Sequence, residues 1–125
     1  MPSQLNYEET LEFKKDWKRL QKKFSSISDD FALVKKAAIE LFHLHGLNNL
    51  SIFPIPHFCG KEIQVCKVKK FACKSLKGRG AKSGIRLVYA FHVNLSKVVL
   101  IEIYFKGDQE NEDQMRIKHY LKSQL

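Results

Sequence analysis

Apolar positions in the first third of the chain recur at helical spacing. Phe13, Trp17, Leu20 and Phe24 fall at i, i+4, i+7 and i+11, one stripe on a 3.6-residue period. Lys14, Lys15, Lys18, Arg19, Lys22 and Lys23 fill the remaining positions of the later turns. Glu8, Glu9 and Glu12 stand early, where the helix dipole favours anions. The pattern predicts a helix over about 6–24. Ser25, Ser26 and Ile27 read as a turn, and Ser28 or Asp29 as the cap of a second helix. Phe31, Val34, Ala38, Leu41, Phe42 and His45 give that helix its stripe, and Gly46 its stop. So short a link predicts an antiparallel helical hairpin over about 6–45.

The period then changes to two. Pro54 and Pro56 lack N–H donors, so Ile52–His57 is expected as an edge strand or an extended connection. Three strands follow, over Ile63–Phe71, Gly84–Val93 and Lys97–Lys106, placing the sheet at about 50–106. In the second, Ile85, Leu87, Tyr89 and Phe91 share one face and Arg86, Val88, Ala90 and His92 the other. Strict alternation in the third puts Val99, Ile101, Ile103 and Phe105 on one face, and Val98, Leu100, Glu102, Tyr104 and Lys106 on the other. The Asn94-Leu95-Ser96 link suits a hairpin, so these two strands are expected as antiparallel neighbours. Residues 74–83 read as a basic, glycine-containing loop. Gly107-Asp108 breaks the chain before a last helix over about 109–122, anchored by Met115, Ile117 and Leu121. The expectation is one α+β domain over 1–125, helices on one face of a small twisted antiparallel sheet.

Composition narrows the class. The chain has 125 residues, 44% hydrophobic and 28% charged, ordinary for a globular domain and too apolar for a disordered chain. No run approaches the ~20 apolar residues of a membrane span, and the first residues lack the basic and apolar regions of a signal peptide. A cytoplasmic location and no membrane partner are expected. Cys59, Cys66 and Cys73 are odd in number and evenly spaced, which suits free thiols better than a disulfide framework or a zinc site. No phosphate-binding loop, dinucleotide fingerprint or nucleophile elbow is present, and no metal or cofactor is expected.

Charge changes the picture more. Lysine and arginine number 22 against 13 acids, a net charge of +9, which favours polyanionic partners. Residues 61–86 supply most of it: Lys61, Lys67, Lys69, Lys70, Lys74, Lys77, Arg79, Lys82 and Arg86 against Glu62 alone. Residues i and i+2 of a strand share a face, so Lys67 and Lys69 project together, and Arg86 can meet them from a neighbouring strand. Like charges that close repel unless an anion compensates them. The segment reads either as a phosphate-binding surface or as a solvated charged strand with a basic loop. Arg86, interrupting an apolar strand, could instead pair with Glu102.

Cys66-Lys-Val-Lys-Lys-Phe71, Gly84-Ile-Arg-Leu-Val-Tyr89 and Val98-Val-Leu-Ile-Glu-Ile-Tyr-Phe-Lys-Gly-Asp108 resemble the RelE/ParE superfamily of bacterial toxins, on its RelE-like side. The resemblance covers about 10–122. It implies a helical hairpin, a twisted antiparallel sheet and a C-terminal helix. It also implies the toxin of a type II toxin–antitoxin pair, held silent by a cognate acidic antitoxin. RelE-like members are metal-independent endoribonucleases that cleave mRNA, many of them on the ribosome, by attack of the 2′-OH on the adjacent phosphorus. Carried onto this chain, Lys67, Lys69, Arg86 and Lys106 are the catalytic candidates. Arg86 would meet transition-state charge, Lys67 or Lys69 would act as base, and Lys106 would clamp phosphate. Lys70, Lys74, Lys77, Arg79, Lys82, His92 and Tyr104 are the RNA-binding candidates, His92 also as an acid–base group. The acidic run Asp108–Asp113 departs from the family pattern, in which an arginine and a tyrosine stand near that place. The other readings are a non-nucleolytic, ParE-like gyrase inhibitor and a catalytically silent nucleic-acid-binding member of the fold.

Overall fold

The computed structural model describes residues 4–48, 50–76 and 83–125. The chain is α+β, built on a five-stranded mixed sheet. It opens with a short strand, β1 (Asn6–Glu9), then α1 (Leu11–Lys23) and α2 (Ile27–Val34). A π-helical stretch, Lys35–Glu40, continues α2 into α3 (Leu41–His45). Strands β2 (Ile52–Cys59), β3 (Ile63–Val68), β4 (Ile85–His92) and β5 (Lys97–Phe105) follow, and α4 (Gln114–Ser123) closes the chain. The sheet order is β1-β5-β4-β3-β2; β1 runs parallel to β5 and every other pair is antiparallel.

The predicted helix over 6–24 is too long by its first turn. Residues 6–9 instead lie along the free edge of β5, with Asn6 opposite Lys97 and Glu9 opposite Leu100. Thr10 separates strand from helix. Its hydroxyl accepts the Phe13 N–H at 3.1 Å and donates to the Leu100 carbonyl at 3.1 Å, so one side chain caps α1 and pins it to the sheet. The second helix starts earlier than Ser28 or Asp29 would have it, behind Ser26, whose hydroxyl donates to the Asp30 carboxylate at 2.7 Å and accepts the Ser75 N–H at 2.8 Å instead of capping the helix backbone. Gly46 ends the helical run in the left-handed conformation, φ 69°, as its position suggests.

The helices lie on both faces of the sheet, not on one. On the first face, Phe13, Leu20, Phe24, Ile27, Phe31, Val34 and Ile39 from the N-terminal helices bury against Ile85, Leu87, Tyr89, Val98, Leu100 and Ile103. Trp17 joins this core, its ring 5.4 Å from that of Phe31 and 6.0 Å from that of Phe13. On the second face, Ile117 of α4, with Tyr120 and Leu121 beside it, packs on Val65, Val88, Ala90 and Ile101. Met115 is 71% exposed and is no anchor.

The faces of β5 also differ from strict alternation. Val88 pairs with Glu102 but Tyr89 with Leu100, so β5 bulges by one residue at Ile101. Val98 and Leu100 before the bulge and Ile103 after it therefore all reach the first core, while Ile101 and Tyr104 turn to the second. Arg116 of α4 donates to the Ile101 carbonyl at 3.1 Å and to buried Asp16 of α1 at 2.6 Å. Asp16 in turn accepts the Ile103 N–H at 3.3 Å. The bulge is thus held by one ion pair that reaches across the sheet from α1 to α4.

Cys66 and Cys73 are buried free thiols, and Cys59 is an exposed one. Burial pushes the Cys66 thiol up to about 12. No helix among the described residues is long and apolar enough to cross a membrane.

Candidate anion-binding site

The second face of the sheet is apolar only over part of its length. Toward the C-terminal end of β3 its inward positions become Lys67, Arg86, Glu102 and Tyr104. Lys67 stands opposite Val88, Val88 opposite Glu102, and Arg86 opposite Tyr104. Lys69 lies two residues past Lys67, just beyond the strand, where its N–H donates to the Ser51 carbonyl at 3.0 Å. The Arg86 guanidinium reaches over and donates to the Lys69 carbonyl at 3.0 Å and to the Ile85 carbonyl at 3.2 Å. The ammonium of Lys69 sits 4.7 Å from the centre of the Phe53 ring. Lys67, Lys69 and Arg86, from two adjacent strands, therefore share one face at one end of the sheet.

A carboxylate is already among them. Glu112, in the link between β5 and α4, accepts from the Lys67 ammonium at 3.0 Å, and the two side chains keep only 10% and 13% of their accessibility. Burial alone would raise the Glu112 carboxyl, but the Lys67 hydrogen bond and the charges of Lys67 and Lys69 hold it below the usual carboxylate range. The run 108–113 that made the sequence unusual thus folds back over the cations. It is tied down further by Glu102, which does not pair with Arg86. One Glu102 oxygen accepts the Asp113 N–H at 2.9 Å and the other accepts from the Gln109 amide at 2.8 Å. Burial raises the Glu102 carboxyl despite these bonds. Lys23 meets Asp108 at 2.9 Å on the outside. At the start of the run, a Cβ on Gly107 would stand 2.5 Å from the Phe105 ring, so a side chain there would displace that ring.

The remaining sequence candidates scatter. Lys106 is exposed at the end of β5, its N–H on the Gly84 carbonyl at 2.8 Å. Tyr104 is only 2% exposed and its hydroxyl is pushed up to about 12 by burial and by Glu112 and Glu102, so it is part of the packing rather than an open stacking platform. His92 faces the same way as Arg86 but six residues along the strand, about 20 Å away at ~3.3 Å per residue. Its Nε2 is 2.7 Å from the Tyr120 hydroxyl, and burial and Lys97 lower its basicity. It belongs to a different part of the face and cannot serve the same phosphate. Lys70 and Lys74 are exposed beside a separate groove of about 260 Å³ that Leu33, Val34 and Ala38 line. Lys77, Arg79 and Lys82 lie outside the described residues.

Glu112 and Gln109 are the site residues that pattern reading missed, and Glu102, read as a partner for Arg86, instead holds Gln109 and Asp113. The available signal was the acidic run itself: Asp108, Glu110, Glu112 and Asp113 within six residues, directly after the last strand. Comparison of the chain with protein-family models, with curated proteins and with solved structures returns no match.

Proposed function

We propose that the chain is a RelE-like toxin of a type II toxin–antitoxin system, acting as a metal-independent endoribonuclease on mRNA, with the ribosome as its working surface and an acidic antitoxin as its silencer. The observation that carries this reading is the meeting of Lys67, Lys69 and Arg86 on one sheet face around a bound carboxylate. A phosphodiester presents the same kind of acceptor oxygens as Glu112, with a full negative charge.

The reaction proposed for this place forms a bond from the RNA 2′-oxygen to phosphorus and breaks the bond from phosphorus to the 5′-oxygen. A 2′,3′-cyclic phosphate remains. The 2′-OH gives up a proton and the departing oxygen takes one. Negative charge gathers on the non-bridging oxygens, and preorganised cations stabilise that charge. Arg86 suits this role because its planar fork can hold two oxygens at once and two backbone carbonyls already orient it. Lys67 serves as a second fixed charge, meeting a phosphate oxygen where it now meets Glu112. Lys69, in its free-amine form, is the candidate proton acceptor, and Lys106 at the rim the candidate clamp on a flanking phosphate.

The shielding of Lys67 by Glu112 also favours a second reading, a nucleic-acid-binding member of the fold that does not cut. Induced expression with mapping of transcript ends separates the two. New 5′ ends that vanish in Arg86→Ala at equal protein abundance are the expected result. DNA damage with intact transcripts would point to a gyrase inhibitor. Intact transcripts and normal growth would leave only binding.

A further inference from the structure

We propose that residues 108–112 form an internal competitor for RNA: the Glu112 carboxylate occupies the place beside Lys67 where a phosphate oxygen would bind, and this strap must lift before RNA enters. The inference rests on the phosphodiester reading of the site and adds its regulation.

The mechanics favour lifting over unfolding. The strap runs between two fixed points. One is the end of β5, where Asp108 and Gln109 donate their N–H groups to the Phe105 carbonyl at 2.9 and 3.1 Å. The other is Asp113, whose carboxylate caps α4 by accepting the Arg116 N–H at 3.2 Å and whose own N–H stays on Glu102. Helix α4 keeps independent anchors in the Arg116–Asp16 pair and in Ile117, which is fully buried. Lifting the strap therefore breaks two sheltered contacts, Glu112 with Lys67 and Gln109 with Glu102, and one exposed pair, Lys23 with Asp108. The exposed pair contributes little. The sheltered ion pair sets the closed population, and apparent affinity for RNA scales with the fraction that is open.

RNA can compete because it brings several phosphates where the strap brings one carboxylate, and each phosphate neutralised releases counterions. The test is the affinity of a fluorescein-labelled, fully 2′-O-methylated RNA 12-mer, which cannot be cleaved, read by anisotropy at fixed low salt. Glu112→Gln should bind about tenfold tighter than wild type, the change expected for loss of about 1.4 kcal/mol of charge-assisted hydrogen bonding. Glu110→Gln removes an equal charge from an exposed position of the same segment and should change affinity less than twofold. In Lys67→Met the effect of Glu112→Gln should disappear. Equal tightening by Glu110→Gln and Glu112→Gln would reduce the effect to net charge and overturn the proposal, as would weaker binding or no binding by any form.

Hydrogen exchange on the unmodified protein gives a second arm that needs no variant. RNA should speed exchange of the 110–112 amides while α4 stays protected; slowed exchange in the strap would overturn the proposal. Tighter binding by Glu112→Gln with transcripts left intact in cells would keep the strap and remove the nuclease. Cleavage by wild type and Glu112→Gln alike, at equal affinity, would do the reverse.

Discussion

The two faces of the sheet are made of the same strands yet solve different problems. The face under the N-terminal helices is almost wholly apolar. Its few polar groups find each other, as in the His43 ring nitrogen 2.7 Å from the Tyr89 hydroxyl, with the imidazole stacked 4.0 Å from Phe91. The face under α4 is apolar around Val65, Ala90 and Ile117 and then gives way to Lys67, Arg86, Glu102 and Glu112. A sheltered ion pair costs desolvation that hydrophobic residues of like size would not. The first face therefore accounts for folding, and the charged end of the second for a demand that folding does not make.

Substitutions can press on that contrast. Leu87→Ala on the first face removes a fully buried side chain and is expected to cost about 4 kcal/mol, seen as a lower urea midpoint at unchanged m-value. A comparable loss from Lys67→Met, on the second face, would break the contrast. Asp16→Ala should come next, at about 3 kcal/mol, because it strands Arg116 and the Ile103 N–H and frees the bulge that sets the faces of β5. Amide exchange around Ile101 should rise with it.

Acid should act on the first face through His43, whose burial lowers it from 6.5 to about 4. The folded protein holds this imidazole neutral. Stability is thus fully present above pH 6.5 and is lost as pH falls from there toward 4. Urea midpoints at pH 7 and pH 5 should differ, and His43→Gln should shrink the difference. The smallest effect belongs to the surface: Lys23→Ala breaks an exposed pair with Asp108 and a contact of the ammonium 4.7 Å from the Phe105 ring, and should shift stability by under about 1 kcal/mol. A larger shift in a thermal melt would mean that the strap is tied into the fold more firmly than its contacts indicate.

Much of the fold was legible in the sequence because periodicity reports burial. The three strands from Ile63 onward and the face division of β4 follow from alternation, and two prolines limit β2 to an edge strand or an extended connection, of which the chain forms the edge strand. What escaped lacked a local signal. Residues 6–9 carry one aromatic ring and two glutamates that suit a helix start equally well; only the open edge of β5, some ninety residues on, makes them a strand. The bulge at Ile101 escaped because β5 is apolar on both sides apart from Glu102, and nothing local shows that Glu102 is buried on the second face beside Gln109 and Asp113. At the site, the clustering of Lys67, Lys69 and Arg86 could be read from i, i+2 spacing and a neighbouring strand. Their carboxylate partner could not, since nothing in the run 108–113 states that it folds back.

The parallel pairing of β1 with β5 bears on the order in which the molecule assembles. The first strand has no local partner and must wait for nearly the whole polypeptide before its hydrogen bonds can form, a long loop closure of the kind that slows folding. Until then β5 presents a bare flank that another chain can pair with. Deleting residues 4–9 should therefore leave a domain that still collapses but self-associates, and residues 6–9 act as a seal on the finished sheet.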